Sequence, residues 1–373
     1  MSAVKPAWQG TDVSIGEVLE HLKSLRAGAA AAGRSRSSVL DVIIVASDKA
    51  EGLRAAGAVE KLAMHHPCRA LIVVDDPGGG PGRVDATITE RGPEPGSARP
   101  SHEQVLLEVR GPAAEHIPSL VDSFLLPDVA TFIWWTGSPP LRGERFLAAL
   151  EAADVLLLDS ARFERPFESF AALAEVAAAK AGTVFGDFHW TRLQPWREVL
   201  AQFFNPADRR GFLRGIGAVG VDYIAEGRGN RSAAVLLAGW LGSALGWQLK
   251  TAAAGRGGVM AAHFTSPRGH PVELALRPVE MAGFAAGEIT GIRIDAAFEG
   301  HLCLVHALRD EADNDHVMVQ AEVRGMPVPK LVLPMPARAD EAVLSRLLID
   351  VRADRAYPRA LQLGAEILRS ART

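Results

Sequence analysis

The chain has 373 residues, of which 48% are apolar and 23% charged, and this excludes disorder as its main state. The 40 lysines and arginines stand against 44 aspartates and glutamates, a formal charge of −4. No basic excess is available to draw in nucleic acid by counterion release. At roughly 100–200 residues per domain the length implies two domains or three. Cys68 and Cys303, the two cysteines, are too few for a disulfide framework or a four-cysteine zinc site. They read as small buried thiols of a reducing compartment. The N-terminus lacks the apolar core of a signal peptide. The longest apolar run, residues 233–247, is shorter than the ~20 residues that cross a bilayer. A soluble, cytoplasmic protein with no membrane partner is expected.

Residues 15–25 carry Ile15, Val18, Leu19, Leu22 and Leu25 at helical spacing, and Ser14 and Glu17 are placed as a capping box. A small-residue connector covers 29–38. The β-branched runs 39–46 and 70–74 predict buried strands on either side of a helix over 51–64. The glycine-rich stretch 75–83 leads into a half-buried strand over 84–90, paired as a hairpin with 104–109 across a Pro/Gly-rich loop. A helix over 113–126, stopped at Pro127, precedes 129–135 (VATFIWW), which is apolar on both faces and so a central strand. A helix over 146–153 and a strand over 155–158 follow. This alternation predicts a mostly parallel, helix-flanked sheet with the hairpin as its antiparallel edge.

The pattern changes after Phe163. A helix over 167–179, a tryptophan-rich stretch, a short helix through 199–204, a strand over 219–225 and an Ala/Leu helix over 233–249 are expected in turn. From 260 to 323 come four or five strands separated by Gly, Pro and Asp, including 271–277, 288–297, 302–307 and 316–323, which predict an antiparallel meander. Helices over 340–351 and 358–368 close the chain. The reading is an α/β domain over 1–165 followed by an α+β domain over 166–373, with the boundary between 163 and 206.

Few motifs carry chemistry. Residues 215–220 (GIGAVG) match the dinucleotide fingerprint, but a helix precedes them and a strand follows, the reverse of the required context. The glycines of 75–83 lack the Gly-Lys-Ser/Thr ending of a phosphate loop. His65 and His66 beside Cys68 do not converge on one ion. His301 and His306, five apart in a strand, face opposite ways. No serine sits in a nucleophile elbow. No catalytic residue, metal site or cofactor is expected.

Two constellations remain. A parallel first sheet would gather Ser47, Asp48, Asp75, Asp76, Thr136, Ser138, Asp159 and Ser160 at the carboxyl ends of its strands. Open α/β sheets bind ligands there, although loops must be solvated in any case. Such a crevice is the basis of a second functional reading, a sugar-phosphate or nucleotide-binding sensor or enzyme. The other constellation is tryptophan, seven residues against two tyrosines. Trp134 and Trp135 end the central strand, and Trp240 and Trp247 share one face of the expected 233–249 helix. Residues 187–198 (DFHWTRLQPWRE) place Thr191 and Gln194 as a second capping box. Within them Asp187, His189, Trp190, Arg192, Trp196 and Arg197 form a candidate partner contact, because Trp and Arg dominate interface hot spots. Core packing is the alternative.

Five blocks stand together in a familiar order: HPCRALIVV (66–74), LLPDVATFIWWTGSPP (125–140), DVLLLDSA (154–161), DFHWTRLQPWRE (187–198) and LLAGWLGSALGW (236–247). In these blocks the chain resembles the OpcA family, the glucose-6-phosphate dehydrogenase assembly proteins of actinobacteria and cyanobacteria, over nearly its whole length. The resemblance implies a non-catalytic activator that binds glucose-6-phosphate dehydrogenase and favours its active form. The enzyme opens the oxidative pentose phosphate pathway and makes NADPH. Cyanobacterial relatives are linked to thiol control, for which Cys68 and Cys303 offer little support. His102 stands where a small residue or cysteine is expected in the family. The family supplies no catalytic residue to carry over.

Overall fold

The computed structural model describes residues 6–31, 40–63, 68–91, 102–126, 128–225, 230–310 and 312–372. His65 and His66, most of the 29–38 connector, the hairpin loop over 92–101 and Pro127 lie outside them. The chain divides into two units. The first comprises 1–159, 180–186 and 340–351, and the second 160–179, 187–339 and 352–373.

The first unit opens with β1 (Trp8–Gly10) and α1 (Ile15–Ala31). The capping box forms: Glu17 N–H donates to Ser14 Oγ at 3.3 Å and Ser14 N–H to Glu17 Oε2 at 2.7 Å. The helix runs beyond its apolar stripe into the alanines at 29–31, good helix formers read from sequence as connector. There follow β2 (Leu40–Ala46), α2 (Lys49–Ala63), β3 (Cys68–Asp76), β4 (Arg83–Arg91) and β5 (His102–Arg110). The expected long helix after β5 is broken. A 3-10 turn over Gly111–His116 leads into a short α3 (Ile117–Asp122), because Pro112 and Pro118 fit only at helix starts. Then come β6 (Ala130–Trp135), α4 (Glu144–Glu151) and β7 (Val155–Leu158).

After α5 (Pro166–Ala179), the strand β8 (Val184–Asp187), unmarked by any sequence pattern, closes the first sheet. The sheet order is β1-β4-β5-β3-β2-β6-β7-β8. Strands β5, β3, β2, β6 and β7 pair parallel, and β4 lies antiparallel to its neighbours β1 and β5. Every residue of β2 and β7 is buried, as both-face coverage demands. One cost of that burial is met locally. Asp41 and Arg69, 2% and 9% exposed, pair across β2 and β3, and Leu126 N–H also donates to Asp41.

The second unit continues with α6 (Phe188–Arg192), α7 (Gln194–Phe204), α8 (Ala207–Arg210), β9 (Ile216–Ile224) and α9 (Ser232–Leu245). Helix α9 ends at Gly246, whose φ of 69° only glycine adopts freely. Trp247 therefore lies beyond the helix rather than one face-turn from Trp240, and its ring packs on Phe264. The strands are β10 (Gln248–Ala254), β11 (Met260–Thr265), β12 (Pro271–Val279), β13 (Ile289–Phe298), β14 (His301–Asp310), β15 (Asp313–Val323) and β16 (Met326–Pro334). Helices α10 (Asp340–Asp350) and α11 (Ala356–Ser370) complete the chain. The second sheet is ordered β10-β11-β12-β9-β13-β14-β15-β16. Two meanders flank β9, which is parallel to β12 and antiparallel to β13, so the sheet is mixed rather than a simple meander. Residues 215–220 enter β9, and a Cβ at Gly215 would fall 1.7 Å from the carbonyl of Ala297. That close approach, not a pyrophosphate, explains the glycine.

Among the described residues no helix is long and apolar enough to cross a membrane.

Candidate functional site

Residues 187–198 turn from β8 into two consecutive helices. Asp187 caps α6: its Oδ1 accepts from the N–H of His189 at 2.9 Å and of Ser160 at 3.0 Å. Its Oδ2 accepts from the Tyr357 hydroxyl at 3.4 Å. The expected capping box is not formed. The Thr191 hydroxyl donates back to the Asp187 carbonyl, Leu193 begins α7 without a side-chain cap, and Gln194 reaches forward to Glu198. Thr191 lies inside α6, so Leu193 rather than Thr191 holds the N-cap position of the next helix.

Asp187 is fully buried, and His189, Trp190 and Trp196 are 7%, 2% and 3% exposed. Trp190 donates its indole N–H to Asp354 at 2.6 Å and packs against Tyr357. Burial, then the neighbouring Asp187, pushes the Tyr357 hydroxyl well above its ordinary pKa, so it stays a neutral donor. Arg192 and Arg197 are half-buried, Arg197 stacked on the Trp190 ring and Arg192 near that of Phe188. The segment thus presents arginines held by buried aromatics. Asp354 and Tyr357 complete the cluster from over 160 residues away, which no local spacing signals.

The Ser160 hydroxyl lies 3.4 Å from Nδ1 of His189, but Asp187 bonds the backbone of His189 rather than its ring. This differs from a Ser-His-Asp relay, in which the carboxylate orients the imidazole. Among the described residues no group of three or more His, Cys, Asp or Glu could hold a metal ion.

The parallel pairing sets Ser47, Asp48, Asp75, Asp76, Thr136, Ser138 and Asp159 at the same end of the first sheet, with Ser160 next in chain. Their polar groups have internal tasks. Asp48 caps α2 by accepting from Glu51 N–H at 2.8 Å, Arg145 holds Asp75 at 3.2 Å, and the Thr136 hydroxyl donates to the Val45 carbonyl. Asp159 and Ser160 are buried, and Ser138 is half-buried. In the first turn of α2, a Cβ at Gly52 would fall 2.8 Å from Ile72, the close helix–strand packing served by the third glycine of a dinucleotide fingerprint. Counting back, Ser47 and Lys49 occupy the positions of the other two.

Residues 59–175 match the family model of the N-terminal domain of a glucose-6-phosphate dehydrogenase subunit, and residues 183–361 match that of its C-terminal domain. Similar curated proteins are the OpcA proteins of Synechocystis sp., 27% identical over 65% of this chain, and of Nostoc punctiforme, 28% identical over 64%. Both are named for the OxPP cycle, and the match spans about half, 51%, of the length of each. Among solved structures, an NAD binding oxidoreductase from Klebsiella pneumoniae superposes with a TM-score of 0.51 at 10% identity, covering 90% of this chain and 96% of that one. A levoglucosan dehydrogenase reaches 0.50 at 11% identity, covering 90% and 97%.

The oxidoreductase likeness is one of fold. The β2–α2 turn does not suit a dinucleotide: the Asp48 carboxylate occupies a helix N–H that would face a pyrophosphate, and Glu51 adds a second negative charge in the first turn. Matched in order by both domains of one family, the chain belongs to the OpcA family of glucose-6-phosphate dehydrogenase assembly proteins.

Proposed function

We propose that the chain is a non-catalytic partner of glucose-6-phosphate dehydrogenase that favours the enzyme's assembled, active form. It would thereby support NADPH formation in the oxidative pentose phosphate pathway, in the cytoplasm. The observation that carries this reading is the ordered match of both halves to the two domains of a glucose-6-phosphate dehydrogenase subunit. The self-capped β2–α2 turn supports its non-catalytic part, since a redox activity on this fold would need a nicotinamide cofactor held there. Activation requires that the chain bind the active conformer or oligomer more tightly than the inactive one. Residues 187–198 are our candidate contact, with Arg192 and Arg197 as the reachable groups and Asp187, His189, Trp190 and Trp196 as the frame that positions them.

The test is co-purification of the chain with the dehydrogenase, with thermal stability as a second readout. Stabilisation of the chain by the dehydrogenase supports the proposal. Stabilisation by glucose 6-phosphate or NADPH alone would favour a sensor or enzyme working at the strand ends, and absence of co-purification would reject binding.

A further inference from the structure

One face of the second sheet, carrying Val219, Val221, Leu274, Ile292 and Ile294, is buried, and the opposite face is open along the rows of Ala218 and Gly220, short of the buried Asp222 and Ile224. On the open face the pairing registers set Ala261, Ala275, Gly220, Arg293 and His306 in one row across β11, β12, β9, β13 and β14. The adjacent row reads His263, Glu273, Ala218, Asp295 and Leu304. The small residues leave a shallow hollow of about 270 Å³. Arg277 lies across its floor, so that a Cβ at Gly220 would meet the guanidinium.

Charge is sorted along the strands. Arg277 and Arg293 converge on Asp222, which is 8% exposed, with Arg277 Nε at 2.8 Å from Oδ1. Glu273 and Asp295, one row away, are exposed. Farther along the same face Leu302 and Val332 are 61% and 59% exposed, large apolar surface at the β14–β16 side of the sheet.

We propose that this open face docks a second copy of the chain about a two-fold axis that crosses the strands between the two rows. The rotation turns the strands end for end, which lays each Arg293 over the partner's Asp295 and brings Arg277 toward the acidic end of the other sheet. Alanine and glycine at the centre let the sheets approach. A partner of a single charge sign would be repelled at one row, whereas a second copy complements both.

The test uses the full chain alone, by sedimentation velocity at physiological salt, and so stands apart from dehydrogenase binding. The expected result is a dimer, with self-association weakened at least tenfold by Glu273→Arg with Asp295→Arg, and likewise by Arg293→Glu. Mixing the two variants should restore association, because each supplies the charge the other lacks. A monomeric parent, a dimer indifferent to both reversals, or a mixture that stays apart would overturn the proposal. Circular dichroism checks each fold. Should Arg293→Glu fail to fold, the reversal at the exposed Glu273 and Asp295 decides alone: retained dimer overturns the proposal, and loss supports it.

Discussion

The Arg197 guanidinium lies 3.5 Å from the centroid of the Trp190 ring. That stacking couples a half-exposed charge to a tryptophan that is 2% exposed, and it separates the two arginines of residues 187–198 as probes. Arg197→Ala removes the stacking and should lower stability by about 1–2 kcal/mol. Arg192→Ala should reduce activation of the dehydrogenase at temperatures where the variant is fully folded. Normal activation by the Arg192 variant would place the contact elsewhere.

The Asp41–Arg69 pair in the first unit sets a second expectation. Removing one partner leaves the other buried and uncompensated, so Asp41→Ala should cost about 3–5 kcal/mol in chemical denaturation. The double variant Asp41→Ala with Arg69→Met should recover part of that loss. A cost under about 1 kcal/mol for Asp41→Ala would show that the pair is solvated in solution.

A third expectation concerns close helix packing in the second unit. A Cβ at Gly239 of α9 would fall 2.1 Å from the Ala360 carbonyl of α11. Backbone cannot yield as a side-chain tip does, so Gly239→Ala should destabilise by about 1–3 kcal/mol despite its higher helix propensity. Unchanged thermal stability would contradict the close approach.

Burial pushes the Cys68 thiol up to about 12 and the Cys303 thiol up to about 11, from an ordinary 9.0. The folded chain therefore keeps protons that the unfolded chain releases above pH 9.0. The stability from these neutral thiols is complete below that pH and declines as pH rises toward the folded values. Neither thiol should react with a disulfide reagent at about pH 8 until the chain is denatured. Rapid labelling of the native chain would refute this and reopen redox control.

The first sheet is legible because its strands announce themselves: residues 155–158, and 39–46 apart from the paired Asp41, are apolar without alternation, as coverage of both faces demands. β8 is not, since Val-Phe-Gly-Asp has no period and its place is set by the neighbouring strand. The helix expected over 233–249 overruns into the first two residues of β10, because its apolar spacing carries on to Trp247 while Gly246 stops the helix and pairing with β11 takes Gln248 and Leu249. Thr191 and Gln194 have the spacing of a capping box, but the nearer carbonyl of Asp187 takes the hydroxyl. The tryptophans of 187–198 were visible as an oddity. That they are buried rests on Asp354 and Tyr357, which only the folded chain brings to them.

The proposed function is action through the dehydrogenase without catalysis by the chain itself. It is tested most directly by NADPH formation, measured against glucose 6-phosphate with purified dehydrogenase alone, with the chain added, and with the chain alone. The expected result is no turnover by the chain alone and a roughly tenfold lower half-saturating substrate concentration for the dehydrogenase in its presence, equivalent to about 1.4 kcal/mol of preference for the active form. Superimposable dehydrogenase curves with and without the chain, or NADPH made by the chain alone, would contradict the account.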